Sequence, residues 1–236
     1  MRAFIACNNE GRWDFPQTNL LILNGDLVNL LPKPPKKLEG SIAYGIAGEE
    51  TRPALDDYRA YKCGKGDGMV FARFADELFR GKYSQDARDL YKEELDKGLE
   101  QLQVPTLLVH GNLDFPDIVK SEAGRFGARC VDAEVRYGTG GIGGLGGIPR
   151  SANPLDGKCR VFEAEREDEE YLRLLRKLEE KCALLVTHMH YGYYEKLEKK
   201  PGCRTVVSAE SGGRVMKNLI IPPDYSVTGR GVWTGV

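Results

Sequence analysis

Histidine and glutamine are scarce in this chain, with three of one and four of the other among 236 residues. No apolar stretch approaches the roughly 20 residues that a membrane-spanning helix needs, so no membrane partner is expected. Residues 1–10 run into a predicted strand without the longer apolar core of a signal peptide, which makes the cytoplasm the expected location. A charge excess is missing too: 34 Lys and Arg stand against 35 Asp and Glu. Charge therefore lends no support to a nucleic-acid partner. The six cysteines, Cys7, Cys63, Cys130, Cys159, Cys182 and Cys203, form no Cys-x-x-Cys pair. They read as buried or free thiols, neither a disulfide framework nor a zinc-thiolate site. Few glutamines beside a charged fraction of 29% point to a thermophilic source.

What the chain does have is three short apolar runs, each ending in residues able to hold a metal ion. Leu21–Leu23 leads through Asn24 and Gly25 to Asp26. Leu107–Val109 leads through His110 and Gly111 to Asn112, Leu113 and Asp114. Leu184–Thr187 leads to His188 and His190. Such runs, bounded by Gly and polar residues, predict strands buried on both faces of a parallel sheet. Ligands of open α/β sheets bind outside the carboxyl ends of such strands. Asp, Asn and His on that rim suit a hard or borderline divalent ion. Asn24–Asp26 and Gly111–Asp114 also fit ordinary turns. Two of only three histidines after one strand tip the balance toward metal.

The length suits one domain, residues 1–236, large enough for a sheet covered by helices. Strands are predicted near Arg2–Cys7 and Leu20–Asn24. A parallel crossover normally takes a dozen or more residues, so the link between these two must be a loop or a single turn. Residues 32–48, rich in Pro, Lys and Gly, read as an irregular loop. Residues 49–103 read as a charged helical insert. Within it Ala87, Leu90, Tyr91, Leu95, Leu99 and Leu102 recur at helical spacing, with Ser84 as N-cap. Thr106–His110 follows as a strand, and 129–145 as short strands interrupted by Gly. Asp168–Cys182 is an amphipathic helix striped by Tyr171, Leu172, Leu175, Leu178 and Cys182. Strands at 183–187, 205–208, 215–221 and near 225–233 close the chain. The Gly143–Gly147 run lacks the Lys-Ser/Thr of a P-loop and the following helix of a dinucleotide fingerprint.

The order Gly25-Asp26, then Gly111-Asn112-Leu113-Asp114, then Thr187-His188 resembles the calcineurin-like metallophosphoesterases. Their signature runs Asp-x-His, Gly-Asp-x-x-Asp, Gly-Asn-His-Asp/Glu, a strand-end His, and Gly-His-x-His. The resemblance spans most of the chain, and the Gly143–Gly147 run is similar to a glycine-rich strand end found midway through many members. It implies a four-layer α-β-β-α sandwich with 49–103 as a helical insert, which reads first as a solvated structural face and second as a cap over the site. It also implies one or two divalent ions (Mn²⁺, Fe²⁺, Zn²⁺ or Ni²⁺) per chain. Asp26 would bridge two ions, with Asn112 and His188 on the second, and a metal-activated water would hydrolyse a phosphomonoester or phosphodiester. Asp26, Asn112, His188 and Asp114 are the implied catalytic group.

The chain departs from that signature at three points. Asn8 and Glu10 stand where Asp-x-His would be; both carry oxygen ligands. Leu113 replaces the His that assists the leaving group, a contribution typically worth about 10²–10⁴-fold. The last motif aligns in two ways. Either Thr187–His190 is the Gly-His-x-His element, or His188 is the strand-end His and the last motif falls on residues 208–213, with Glu210 as a replacement ligand. The second is preferred, because another short apolar strand precedes that Gly-rich turn and the segment 220–227 resembles the one that usually follows. Tyr191, Tyr193 and Tyr194 read as packing residues before they read as a stacking platform. Two functions follow: a metal-dependent phosphoesterase, or a catalytically silent relative kept as a binding scaffold. Self-association stays open.

Overall fold

The computed structural model describes residues 3–7, 11, 13–15, 17–31, 38–136, 141–153, 155, 157–182, 184–188, 205–208, 225–228 and 232–235. Strands β1 (Ala3–Cys7) and β2 (Leu20–Asn24) open the chain and lie parallel, Ile5 opposite Ile22. The described residues between them contain no helix, as the short spacing requires. Four helices follow: α1 (Ile42–Ala47), α2 (Thr51–Lys62), α3 (Met69–Phe79) and α4 (Ser84–Leu99). Next come β3 (Thr106–Val109), α5 (Pro116–Arg125) and β4 (Arg129–Cys130). Together β1-β2-β3-β4, in that order and all parallel, make the first sheet.

A second four-stranded sheet gathers β5 (Glu134–Arg136), β6 (Ile142–Leu145), β9 (Leu184–Thr187) and β10 (Thr205–Ser208), in the order β10-β9-β6-β5. Within it β6, β9 and β10 are parallel and β5 is antiparallel. The short strands β7 (Ile148–Pro149) and β8 (Glu165–Arg166) pair with each other. Helix α6 (Asp168–Glu179) precedes β9. An antiparallel hairpin, β11 (Tyr225–Thr228) and β12 (Val232–Gly235), ends the fold. This is an α/β protein. Among the described residues no helix is long and apolar enough to cross a membrane.

Alternation along the strands divides the core. Successive strand side chains point to opposite faces, so Leu21, Leu23 and Leu108 join the large apolar cluster under α1–α5. Leu20, Ile22, Leu107 and Val109 turn the other way and meet Ile5, Val131 and Val186, a cluster fed by both sheets. In the second sheet Leu145 and Leu185 pack beneath Tyr171, Leu174, Leu175 and Leu178 of α6. The helices of 49–103 thus share one core with the first sheet.

Several local expectations change. Residues 42–47, expected as loop, form α1. Ser41 Oγ accepts from Tyr44 N (3.3 Å), while Ile42 N and Ala43 N donate to Asn29 O and Leu30 O, both at 3.0 Å. These satisfy first-turn donors that otherwise destabilise so short a helix. Ser84 is the first helical residue, not the cap, and its Oγ donates to Phe79 O (2.9 Å). Leu90, expected on the apolar stripe, is exposed; Ala87, Tyr91, Leu95 and Leu99 carry it. In α6 the stripe includes Leu174, and the helix ends at Glu179, with Cys182 donating back to Leu178 O. The three apolar runs do not share one sheet, since β2 and β3 belong to the first and β9 to the second. The expected strand at 215–221 and residues 32–37 lie outside the described residues. Cys63, Cys130 and Cys159 are free thiols. Burial, then the Asp132 and Glu134 carboxylates, push the Cys130 thiol up to about 12.

One side chain joins the sheets at their carboxyl ends. Fully buried Asn24, the last residue of β2, donates through Nδ2 to Thr187 O at the end of β9, 2.9 Å away. Asn24→Ala removes that donor and leaves a gap between the sheets. The expected loss is about 2 kcal/mol, the cost of stranding a buried carbonyl, read as a lower urea midpoint with an unchanged m-value.

Candidate metal centre

Parallel register sets the carboxyl ends of β2 and β3 side by side, and the Asn24 bond to Thr187 O brings the end of β9 to them from the second sheet. Gly25 N donates to Val109 O (2.7 Å), locking the loop after β2 against the end of β3. Both Gly25 (φ +75°) and Asp26 (φ +44°) are left-handed. For a non-glycine residue that conformation is uncommon and costs of order 1 kcal/mol, which marks Asp26 as held by its surroundings. Its Oδ1 accepts from Leu113 N (3.1 Å), tying it to the loop after β3.

Two glycines make the approach possible. A Cβ on Gly25 would stand 1.8 Å from His188 Nδ1, so the imidazole occupies the space that a side chain would take. A Cβ on Gly111 would meet Asp26 Oδ1 at 2.3 Å and His188 Cε1 at 3.0 Å. The result is a compact donor cluster. His188 Nε2 lies 2.7 Å from Asn112 Oδ1 and 3.5 Å from Asp26 Oδ1. Asp26 and His188 are fully buried and Asn112 nearly so. Ligand atoms bonded to one ion at about 2.0–2.2 Å, with angles of about 90–110°, stand about 2.8–3.6 Å apart. One observed separation (3.5 Å) falls within that spacing and the other (2.7 Å) just below it, and one carboxylate oxygen, one amide oxygen and one imidazole nitrogen suit a divalent ion. Among the described residues no three His, Cys, Asp or Glu side chains converge as a cage; the third donor here is an amide.

Asp114 has a different place from the other three. Its Oδ1 accepts from Leu27 N (2.8 Å) and Tyr91 OH (2.7 Å), and its Oδ2 accepts from Gly111 N (2.5 Å). Both oxygens are thus turned to the protein, and the carboxylate braces the loops that carry Asp26 and Asn112. Burial, then the charge of Asp26, raise its pKa, and its three hydrogen bonds oppose that shift. Burial and Asp114 in turn hold the Tyr91 phenol well above its ordinary value. Leu113 packs into the large apolar cluster. His110 does not take the place of the histidine missing at 113. It is 2% exposed, with Nε2 3.3 Å from Asp132 Oδ2 and Nδ1 3.3 Å from Gly111 O. Asn8, Glu10, His190 and Glu210, together with Tyr191, Tyr193 and Tyr194, lie outside the described residues.

Three supporting residues escape sequence reasoning. Tyr91 reads only as one apolar position on a helical stripe, and Asn24 only as a turn former. Asp132 carried a usable signal, since Arg129–Val131 is a further short run that ends in a carboxylate. Its Oδ1 accepts from Gly146 N (3.0 Å), and its other oxygen pairs with Arg166. Burial alone would raise its pKa, yet His110, Arg166 and Gly146 outweigh that and hold it at about 2.

Two predictions follow from these charges. Asp132 has a lowered folded-state pKa, so its contribution is complete above the ordinary carboxylate value and drains away as pH falls from about 4 to about 2. Stability should drop by roughly 2 kcal/mol across that window, and Asp132→Asn should flatten the loss in urea titrations repeated at each pH. Asp26→Asn keeps an Oδ1 acceptor for Leu113 N–H and removes one of two neighbouring buried negative charges. Its melting temperature at pH 7 should equal or exceed that of the parent.

No family model matches this chain, and no curated protein matches it. A solved crystal structure is similar to it, with a TM-score of 0.53 at 12% identity, covering 98% of this chain and 88% of that one. At that identity the likeness concerns the fold.

Proposed function

We propose that this protein is a metal-dependent phosphoesterase of the calcineurin-like metallophosphoesterase type. The observation that carries the reading is the convergence of Asp26, Asn112 and His188 from three separate strand ends. Its architecture is read as a four-layer α-β-β-α sandwich. Supporting this is the core shared by both sheets, with α1–α5 packed on the far face of one and α6 on the far face of the other.

Asp26, Asn112 and His188 would hold one divalent ion, and Asn8, Glu10, His190 or Glu210 would complete the set. The ion's chemistry is to activate water for attack on phosphorus and to offset charge on the phosphate oxygens. The chain's own contribution is positional. Gly25 and Gly111 admit the imidazole, Asp114 fixes the two loops, and burial keeps competing water from the donors. No general acid stands at position 113, where Leu113 faces the core. Turnover should therefore depend steeply on the leaving group. Aryl phosphodiesters, whose leaving groups need no proton, should outpace alkyl esters by about the 10²–10⁴-fold that general-acid help typically supplies. A second reading, a catalytically silent scaffold, is favoured by the same apolar residue at 113.

Metal content after purification without chelator separates the two. Retained divalent metal, with Mn²⁺-stimulated hydrolysis of an aryl phosphodiester that Asp26→Ala abolishes, is the expected result. Retained metal with no hydrolysis above that variant would favour the scaffold. A chain that neither retains nor takes up divalent ions would sink the metal centre itself.

A further inference from the structure

The most constrained side chain outside the donor cluster is His110. It directly follows β3, one residue before Gly111 and two before Asn112, and is almost fully buried. Its ring lies against Gly146, where a Cβ would stand 2.5 Å from both Cδ2 and Nε2. The backbone on either side is pinned as well: Gly147 N donates to His110 O (3.0 Å), and Gly111 N donates to Asp114 Oδ2 (2.5 Å). The ring itself spans two partners, with Nε2 3.3 Å from Asp132 Oδ2 and Nδ1 3.3 Å from the Gly111 carbonyl. Asp132 is anchored in turn by Gly146 N and Arg166. A chain of contacts therefore runs from Arg166 through Asp132 and His110 to the peptide that joins Gly111 to Asn112.

That peptide decides where the Asn112 amide points. Its nitrogen belongs to Asn112 and its carbonyl carbon to Gly111, so rotating it swings the Asn112 side chain away from His188 and Asp26. Gly111, having no Cβ, offers little steric resistance to such rotation. The aspartate-oriented imidazole supplies the missing restraint. We propose that His110, oriented by Asp132, is a positioning residue that sets the Gly111–Asn112 peptide and so the metal affinity of the Asn112 donor. The inference rests on the metal reading of Asp26, Asn112 and His188. Partners of this kind behind metal ligands typically change affinity by about 10–100-fold when removed.

The test is the dissociation constant for Mn²⁺ alone, from the free-ion electron paramagnetic resonance signal, on the full chain. Unfolding midpoints are measured in parallel. His110→Ala should weaken Mn²⁺ binding about 10–100-fold. His110→Asn places an amide nitrogen where Nδ1 stands, keeping the contact to Gly111 O, and should recover most of that loss. Asp132→Asn should fall between the parent and His110→Ala. A purely structural role would lower the midpoints of all three variants in proportion to lost packing and leave affinity unmoved. If the parent binds Mn²⁺, Asp26→Ala does not, and folded His110→Asn, Asp132→Asn and any folded His110→Ala bind as the parent does, the brace is overturned and the metal centre stands. If the parent itself fails to bind, both fall together.

Discussion

The carboxylate of Asp114 is the constraint on which the rest of the rim depends. It draws one N–H from the loop after β2, one from the loop after β3, and the phenol of α4. Three elements distant in sequence are fixed relative to one anionic centre, in a setting where each unmet donor costs about 1–3 kcal/mol. The arrangement carries its own penalty, because burial and the charge of Asp26 both resist ionisation of Asp114. Two carboxylates are buried close together, and Asp26 is held in a left-handed conformation, both of which cost stability. Strain and desolvation are thus gathered at one place, the carboxyl ends of β2 and β3.

Much of the framework was legible because its information is local. Apolar runs closed by Gly or His located β2, β3 and β9 almost to the residue, and helical spacing located α4 and α6. What the runs do not encode is their partner. Leu184–Thr187 and Leu20–Asn24 have the same texture, yet one lies in the second sheet and the other in the first. Sheet membership is decided by which faces meet, and that depends on α6 and on Val186 meeting Ile22 and Val109.

The candidate site was legible in its donors and illegible in its supports. Asp26, Asn112 and His188 follow Gly or a strand end, and so carry a sequence mark. Tyr91 and Asn24 carry none, since a tyrosine on an apolar stripe reads as packing and an Asn before Gly reads as a turn. Each nonetheless places its polar group on a buried partner that only the tertiary structure supplies. Short helix α1 was missed for the same reason: its first-turn donors are met by Asn29 O and Leu30 O, outside the helix.

The hydrogen bond from Asn24 to Thr187 spans 163 positions, and that separation bears on how the chain comes to be folded. During synthesis the first sheet can pair long before β9 has left the ribosome. Until then the Asn24 amide lacks its carbonyl, and Gly25 lacks the imidazole that fills the space above it. Until β9 arrives, nothing in the amino-terminal portion supplies the two contacts that close the rim, and long-range contacts of this kind are intrinsically slow to form. Completion of the rim is a late event that waits on β9 to reach its place beside β6.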